Sequence, residues 1–223
     1  MKIRCSALGK IMTSPRTKGE VLSQTAKTYL KELAIENTFG IKKEFSSRYT
    51  DKGNIQENYA IEMAARVLNL PFALKNNQYF ENDFIKGTPD LILDDEIVDI
   101  KCSWDGTTFP WFEEELPNKD YYWQLIGYCW LTNKKRARVV YCLVDTPEDI
   151  VQDEIRRTSW KKFEIDVTEE TEMEVRAKHE FSHISENKRV RTFLVELNEA
   201  NIEQVKERLL EAKKYYNDLI QQL

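Results

Sequence analysis

Two aspartates and a lysine are spaced so that they could meet on one face of a hairpin. The stretch "KGTPDLILDDEIVDIKCSW" reads as two apolar runs on either side of an acidic turn at residues 94–95. If the chain reverses at that turn, Asp90 lies opposite Asp99 in an antiparallel pair. The Cβ atoms of such a pair lie about 4.5–5.5 Å apart on the same face. Lys101 follows Asp99 by two residues and therefore shares that face.

Opposed carboxylates of this kind have a clear chemical use. They repel each other, and a divalent cation between them removes the repulsion. Hard oxygen ligands favour Mg²⁺, with Mn²⁺ as a substitute. A lysine beside the cation can orient or deprotonate a water molecule and can stabilise developing negative charge. The alternative is that Lys101 only bridges two surface aspartates on a solvated sheet face.

The elements that must position these residues follow from the apolar pattern. In the hairpin, the alternate residues Leu91, Leu93, Val98, Ile100 and Cys102 point to the other face, into a core. Helices are predicted at residues 6–13, 19–37, 54–70, 117–135 and 199–223, with Asn54 as a cap, Ile55, Met63, Val67 and Leu68 as apolar contacts, and Pro71 as a stop. Strands are predicted at residues 72–76, 79–86, 89–93, 96–102, 136–145 and 190–198.

The order of these elements predicts an α/β (α+β) fold with a central mixed β-sheet flanked by helices. We expect one domain over residues 1–223. A polar subregion at about 146–188 is expected to hold a strand or two and a charged helix. A C-terminal helix is expected at about 198–222.

Composition sets the broad class of the protein. Of the 223 residues, 41% are hydrophobic and 32% are charged, which predicts a soluble globular chain rather than a disordered one. No apolar run reaches membrane-spanning length, and "MKIRCSALGKIMTSPR" lacks the apolar core of a signal peptide, so we expect a cytoplasmic protein. The net charge of −5 does not indicate a nucleic-acid-binding protein, although local basic patches matter more for such binding than the net charge. Four scattered cysteines without a CxxC pair are expected to be reduced, buried thiols.

Taken together, the motifs resemble a known family. Pro89-Asp90 followed by Asp99-Ile100-Lys101 resembles the signature of the PD-(D/E)xK nuclease superfamily. More narrowly, the chain resembles the phage-type alkaline exonucleases, the lambda-exonuclease or YqaJ-like group. Three further segments carry that likeness, in the family's order between residue 4 and about residue 145: "IRCSALGKIMT" with Arg4 and Ser6, "KGNIQENYA" with Glu57, and "YYWQLIGYCWLTNKKRARVVYCLVD" with Gln124 and Tyr128.

The resemblance implies a restriction-endonuclease-like core and a Mg²⁺-dependent deoxyribonuclease. Its implied catalytic residues are Asp90, Asp99, Lys101, Glu57 and Gln124. The metal ligands would be Asp90, Asp99 and Glu57. Arg4, Ser6 and Tyr128 would contact DNA, with Arg4 on a phosphate.

The substrate implied by the resemblance is linear double-stranded DNA, digested 5′ to 3′ to leave 3′ single-stranded tails. An annealing protein would take up those tails in phage-type recombination inside a bacterial host. Relatives form rings, often trimers, so a homo-oligomeric ring around DNA is implied. Basic residues that could line it are Lys10, Arg16, Lys18, Lys134, Lys135 and Arg136.

Several of these residues also have plainer roles open to them. Glu57 falls three residues after Asn54, the position of a capping-box glutamate. Gln124 could be a polar helix residue between aromatic neighbours. Trp123, Ile126 and Trp130 are expected in the core rather than against nucleic acid.

Other functions remain open at the level of the sequence. "HEFSH" matches H-E-x-x-H, which on a helix binds zinc through His179 and His183 with Glu180 as the base of a metalloprotease. Its flanks are highly charged and no third histidine exists, so we interpret it as a solvated charged helix. A Cas4- or RecB-like nuclease would need clustered cysteines for an iron–sulfur cluster. A non-catalytic DNA-end-binding module is a third alternative.

Overall fold

A four-stranded mixed sheet lies at the centre of the fold. The computed structural model describes residues 1–43, 47–70 and 74–223. The sheet has the order β4-β5-β6-β7, and β5 and β6 are parallel while the outer pairs are antiparallel. Its strands are β4 (Leu91–Ile92), β5 (Glu96–Cys102), β6 (Arg136–Cys142) and β7 (Val190–Glu196). A smaller sheet of order β1-β3-β2 contains β1 (Ile3–Arg4), β2 (Phe80–Glu81) and β3 (Ile85–Gly87).

Helices cover both faces of the central sheet, which confirms the predicted mixed α/β architecture. Within the described residues the α-helices are α1 (Leu8–Met12), α2 (Gln24–Phe39), α3 (Arg48–Leu68), α4 (Lys119–Thr132), α5 (Glu148–Lys161), α6 (Glu169–His179) and α7 (Glu199–Gln222). None of these helices is long and apolar enough to cross a membrane.

The two faces of β5 belong to different cores. Ile97 packs into the large cluster that α1, α2, α4 and α7 share with the sheet. Val98 and Ile100 pack into a second cluster with Met63 and neighbouring residues of α3. The alternation of β5 therefore sends Asp99 and Lys101 towards the α4 side.

The register of the predicted hairpin is confirmed. Leu91 pairs with Val98 and Ile92 with Ile97, and the backbone N–H of Leu93 donates to the carbonyl of Glu96 at 2.9 Å. The turn therefore lies at residues 94–95, as the sequence predicts. Strand β4 is shorter than the predicted 89–93, because Asp90 leaves the ladder and bends.

Helix starts differ from the predictions because other residues cap them. Helix α2 begins at Gln24 rather than near residue 19, since Ser23 Oγ accepts the N–H of Ala26. Helix α3 begins at Arg48, where Ser47 and Thr50 form a capping box. The predicted cap at Asn54 is therefore wrong. Ile55 lies on the exposed side of the helix and does not supply the expected apolar contact.

Three strand predictions also change. The run 79–86 is broken into β2 and β3, because the Asn82 side chain accepts the backbone N–H groups of Phe84 and Ile85 and makes a turn. Residues 146–188, all described, contain α5, α6 and a short 3₁₀ turn but no strand. Pro71 and the start of the predicted strand 72–76 lie outside the described residues, and residues 74–76 are not in a strand.

Candidate active site

Asp99 is the buried centre of the candidate site. Asp99 is only 1% exposed, so this face of the sheet is not a solvated surface and the alternative of a simple surface salt bridge is wrong. Gln124 Nε2 donates to Asp99 Oδ1 at 3.1 Å. Lys101 Nζ lies 2.7 Å from Asp99 Oδ2. A buried carboxylate needs such partners, because removing a charge from water without compensation is costly.

Asp90 reaches the same place from the end of the neighbouring segment. Its Oδ2 accepts the backbone N–H of Ile100 at 2.7 Å, which fixes the carboxylate beside β5. Burial, followed by the facing charge of Asp99, raises the pKa of Asp90 to about 7 against the opposing effect of that hydrogen bond. The two carboxylates therefore resist ionising together, as opposed acids do.

Asn76 holds the backbone that carries Asp90. The backbone N–H of Asn76 donates to the Asp90 carbonyl at 2.7 Å, and Asn76 Nδ2 donates to the Pro89 carbonyl at 2.9 Å. Asn76 is not among the residues predicted from the sequence. A polar side chain in an irregular segment gives no signal of a partner 13 residues away.

Lys101 is held as a cation. Burial lowers the pKa of its ammonium group, but Asp99, followed by Asp90 and Tyr121, outweighs burial and keeps that pKa above its usual value. Its Nζ lies 4.7 Å from the centre of the Tyr121 ring, a cation–π distance. Lys101 therefore keeps its proton near neutral pH and can donate hydrogen bonds.

Helix α4 supplies the second side of the site. Gln124 is buried, and its Nε2 lies 3.1 Å from Asp99 Oδ1 and 3.1 Å from the hydroxyl oxygen of Tyr128. Tyr128 lies one turn further along the same face of the helix, so the two side chains are neighbours. Gln124 thus lies within the site, where the resemblance implied it.

Glu57 does not join the carboxylate pair in this conformation. It lies on α3, and its Oε2 is 2.5 Å from Lys75 Nζ. In the described part of the chain, no three histidine, cysteine or acidic side chains are close enough to hold a metal ion together. The capping-box interpretation of Glu57 is wrong, because α3 begins at Arg48, about two turns before the start that a cap at Asn54 would give.

Asp90 and Asp99 nevertheless fit a magnesium ion. Asp99 Oδ2 is buried, and among the described residues no hydrogen bond of acceptable geometry reaches it, although the Lys101 ammonium is close. Mg²⁺ usually keeps several waters and takes only one or two protein carboxylates. A buried oxygen without a hydrogen bond beside a second carboxylate meets that requirement.

A cavity of about 320 Å³ opens next to Tyr128. Arg4, Ser6 and Tyr128, the three residues implied to contact DNA, all line it together with Lys86 and Thr88. The structure therefore brings these three predicted residues together, beside the Gln124 end of the site.

The predicted basic residues are divided between two regions. Lys134 Nζ donates to the Asp94 carbonyl at 2.7 Å, and Arg136 lies 3.7 Å from Asp95, so both serve the hairpin turn at the far end of β5. Lys10 and Arg16 line a different cavity, of about 640 Å³, beside α2.

The H-E-x-x-H motif does not form a zinc-binding helix. Helix α6 ends at His179, and Glu180 is already extended. His179 is buried, and its Nδ1 lies 2.9 Å from the Thr146 hydroxyl. Glu180 is ion-paired with Arg176, and His183 is exposed. The two histidines are therefore not one helical turn apart, and the interpretation as a solvated charged helix is also wrong for His179.

The four cysteines are free thiols in different places. Cys5 and Cys129 are buried in the large core. Cys102 and Cys142 are opposite each other in the parallel strands β5 and β6. Burial raises the pKa of Cys102 to about 11, so this thiol stays protonated at neutral pH.

Comparisons with solved structures show which proteins share this fold. The fold is similar to that of a phage-related exonuclease from Haemophilus somnus 129PT, with a TM-score of 0.80 and 29% identity, covering 100% of this chain and 96% of that one. It is also similar to the alkaline exonuclease LHK-Exo from Laribacter hongkongensis, with a TM-score of 0.66, 13% identity and coverage of 99% and 90%. A second structure of LHK-Exo, in complex with dAMP, matches with a TM-score of 0.65. No family model matches the chain, and no curated protein does.

The chain has the fold of the phage-related and alkaline exonucleases, and its resemblance to the PD-(D/E)xK superfamily follows from that fold. These structural neighbours are consistent with the resemblance to the phage-type alkaline exonucleases of the lambda-exonuclease or YqaJ-like group.

Proposed function

We propose that this protein is a Mg²⁺-dependent exonuclease that hydrolyses phosphodiester bonds of linear double-stranded DNA. The observation that carries the proposal is the buried cluster of Asp90, Asp99, Lys101 and Gln124 on the fold of the alkaline exonucleases. Buried, opposed carboxylates beside a cationic lysine are a poor choice for stability alone, so a catalytic use accounts for them better.

In this proposal Asp90 and Asp99 hold the ion, and Mn²⁺ substitutes for Mg²⁺. When bound, the ion would lower the pKa of a water molecule and neutralise charge on the scissile phosphate. Glu57 would join through a water molecule after releasing Lys75. In this arrangement only two carboxylates, those of Asp90 and Asp99, would be direct ligands of the metal ion.

The chain's own residues then have separate tasks. Lys101 holds its proton, so it donates hydrogen bonds to the attacking water or to a phosphate oxygen where negative charge develops. Gln124 holds Asp99 Oδ1 and so fixes the direction of Oδ2, which lies beside the Lys101 ammonium. Asp90 is fixed by the Ile100 N–H in the same way. The water would attack phosphorus in line while the bond from phosphorus to the 3′-oxygen breaks, which leaves a 5′-phosphate on one product and a 3′-hydroxyl on the other.

The direction of digestion and the partners are parts of the same proposal. We place the 5′ end of the digested strand in the cavity lined by Arg4, Ser6 and Tyr128, since an arginine and a hydroxyl can hold a phosphate. Digestion then runs 5′ to 3′ and leaves 3′ tails for a single-strand annealing protein. A homo-oligomeric ring, such as a trimer, would keep the enzyme on DNA in the host cytoplasm during phage-type recombination.

The test compares linear duplex DNA, labelled at either the 5′ or the 3′ end, with closed circular DNA. Each is incubated with Mg²⁺, with Mn²⁺ or with a chelator. We expect early release of the 5′ label from linear DNA only, and only with a metal ion. Asp99→Asn and Lys101→Met should each lower the rate by about 10²-fold or more. Intact linear DNA with wild-type protein, or undiminished digestion by both variants, would refute the proposal.

The same preparations test the wider claims. Light scattering during size-exclusion chromatography gives the oligomeric state, and a ring predicts a mass that is a small multiple of the 26.4 kDa chain. Early release of the 3′ label would overturn the polarity while leaving the exonuclease assignment intact.

A further inference from the structure

A third cavity opens beside Lys101, and aromatic side chains form much of its wall. It has a volume of about 610 Å³ and is lined by Tyr49, Trp104 and Tyr121, together with the polar residues Ser103, Asn118 and Lys119. Lys101 also lines it, so the cavity opens directly beside the catalytic cluster. Cavities of 300–1,000 Å³ are the usual size for small organic ligands.

Two of the aromatic rings form a rigid corner. Tyr49 meets Trp104 edge-on, with ring centroids 4.6 Å apart. The Arg48 guanidinium lies 5.3 Å from the centre of each ring and is itself ion-paired with Glu154. Tyr49 remains 53% exposed despite these contacts. An ordered tyrosine with half of its surface uncovered provides a flat apolar face for another ring.

The backbone of Trp104 is also fixed. The buried ammonium of Lys52 donates to the Trp104 carbonyl at 2.9 Å, and the Trp104 ring packs against His179 with centroids 5.0 Å apart. This corner therefore does not have to be ordered when a ligand arrives. Pre-organised contacts of this kind bind with a smaller entropic cost.

Ser103 supplies an independent sign that a polar ligand belongs here. Ser103 is 5% exposed, and its hydroxyl has no hydrogen-bond partner among the described residues. Buried polar groups normally have a partner, and each exception calls for an explanation. Ser103 follows Lys101 by two residues, so it continues the row of Asp99 and Lys101 along the same side of the chain.

We propose that this cavity binds one nucleotide of the DNA strand next to the scissile phosphate. The base stacks on the corner of Tyr49 and Trp104, and the Ser103 hydroxyl bonds to the sugar–phosphate. Lys119 at the rim faces the next phosphate. Base–aromatic stacking tolerates every base, because each has a π-face, so the subsite holds the strand without reading its sequence. This inference rests on the proposed nuclease function and names residues that the family motifs do not include.

The experiment couples a protein change to a DNA change. The Asp99→Asn variant, which should bind without cutting, is titrated in a chelator with a set of fluorescent duplexes. Each duplex has a single abasic position, at a different place among the terminal nucleotides. In that background we expect Tyr49→Ala to weaken binding by about 5–100-fold. One abasic position should weaken binding by a similar factor. The two changes together should be no worse than either alone.

Matched variants separate stacking from folding. Tyr49→Phe keeps the ring and should bind as tightly as the parent. Tyr59→Ala removes an exposed tyrosine of the same helix that does not line the cavity and should have no effect. Ser103→Ala should weaken binding to intact and abasic DNA by the same factor, about 3–10-fold. Fully additive losses, or equal losses from Tyr49→Ala and Tyr59→Ala, would overturn the subsite.

The outcomes also distinguish this inference from the proposed function. If wild-type protein leaves DNA intact but the losses in binding from Tyr49→Ala and from one abasic position are not additive, the nucleotide subsite stands and the nuclease proposal fails. If wild-type protein cuts linear DNA and no position is coupled to Tyr49, the nuclease proposal stands and the subsite fails.

Discussion

Gln124 Nε2 lies 3.1 Å from Asp99 Oδ1 and 3.1 Å from the hydroxyl oxygen of Tyr128, so one amide group joins the buried carboxylate to helix α4. Lys101 approaches the other oxygen of Asp99 and then stacks over Tyr121 on the same helix. A continuous row of contacts therefore runs from one cavity to the other through Asp99. The position of this carboxylate depends on α4 as much as on its own strand.

We expect Gln124→Leu to lower the turnover number about 10–100-fold, the usual cost of losing a residue that orients a metal ligand. The reason is that Asp99 Oδ1 loses its donor and the carboxylate can rotate. Steady-state kinetics on linear duplex DNA measures the change. Thr132→Val is the control, since it removes a side-chain hydrogen bond of the same helix, to the Tyr128 carbonyl, and leaves the bond between Gln124 and Asp99. Equal losses from both variants would contradict a specific role for Gln124.

The repulsion between Asp90 and Asp99 predicts a more stable but inactive variant. Asp90→Asn keeps a side-chain oxygen for the Ile100 N–H and removes one charge from the buried pair. The melting temperature without metal should rise by about 2–4 °C for each kcal/mol of repulsion removed. Mg²⁺ should raise the melting temperature of wild type but not of this variant, because only wild type offers both carboxylates. A metal-free variant that melts below wild type would argue against the repulsion.

The ion pair between Glu57 and Lys75 predicts competition with metal binding. If Glu57 joins the ion only after releasing Lys75, Lys75→Met should reduce the Mg²⁺ concentration needed for half-maximal activity. Glu57→Gln should raise that concentration and lower the maximal rate. A Mg²⁺ titration of the cleavage rate measures both. A Lys75→Met titration curve that matches the wild-type curve would place Glu57 outside the metal site.

The hairpin was predictable because its information is local. Side chains alternate along a strand, so the turn at residues 94–95 was enough to place Asp90 beside Asp99. The involvement of Gln124 rested on resemblance alone, since nothing in a helix sequence says which distant carboxylate it meets. The ion pair between Glu57 and Lys75 could not be predicted from the sequence for the same reason.

The misplaced helix boundaries have a different cause. Ser47 and Asn54 are both good caps, and the polar residues between them show no apolar period that would reveal the first two turns of α3. Helices α5 and α6 were missed as a pair because dense charge obscures the helical period in residues 146–188. His179 was misjudged because a charged neighbourhood in sequence does not exclude burial against Thr146 and Trp104 in space.

The buried ammonium group of Lys52 predicts an unusual response of stability to pH. Burial lowers the pKa of Lys52 from 10.5 to about 8, although Cys102, Asp105 and Asp145 oppose that shift. Between pH 8 and 10.5 the unfolded chain therefore binds more protons than the folded one, so stability rises with pH.

We expect wild type to gain roughly 3 kcal/mol of unfolding free energy relative to Lys52→Met over that range. Urea unfolding at pH 7.5, 9 and 10.5 measures the difference, and other titrating groups cancel because both proteins contain them. A difference that stays constant with pH would mean that Lys52 is not a buried cation.

His179 predicts loss of stability in acid rather than a zinc-dependent activity. Burial, then the charge of Lys52, lowers the pKa of its imidazole below 6.5. As pH falls below 6.5 the unfolded state takes up the proton first, so wild type should lose stability towards pH 5 more steeply than His179→Phe. His183→Gln, at an exposed position, should follow the wild-type curve. Thermal melts from pH 7.5 to 5 decide this, and a zinc-dependent rise in melting temperature that His179→Phe abolishes would instead support a zinc site.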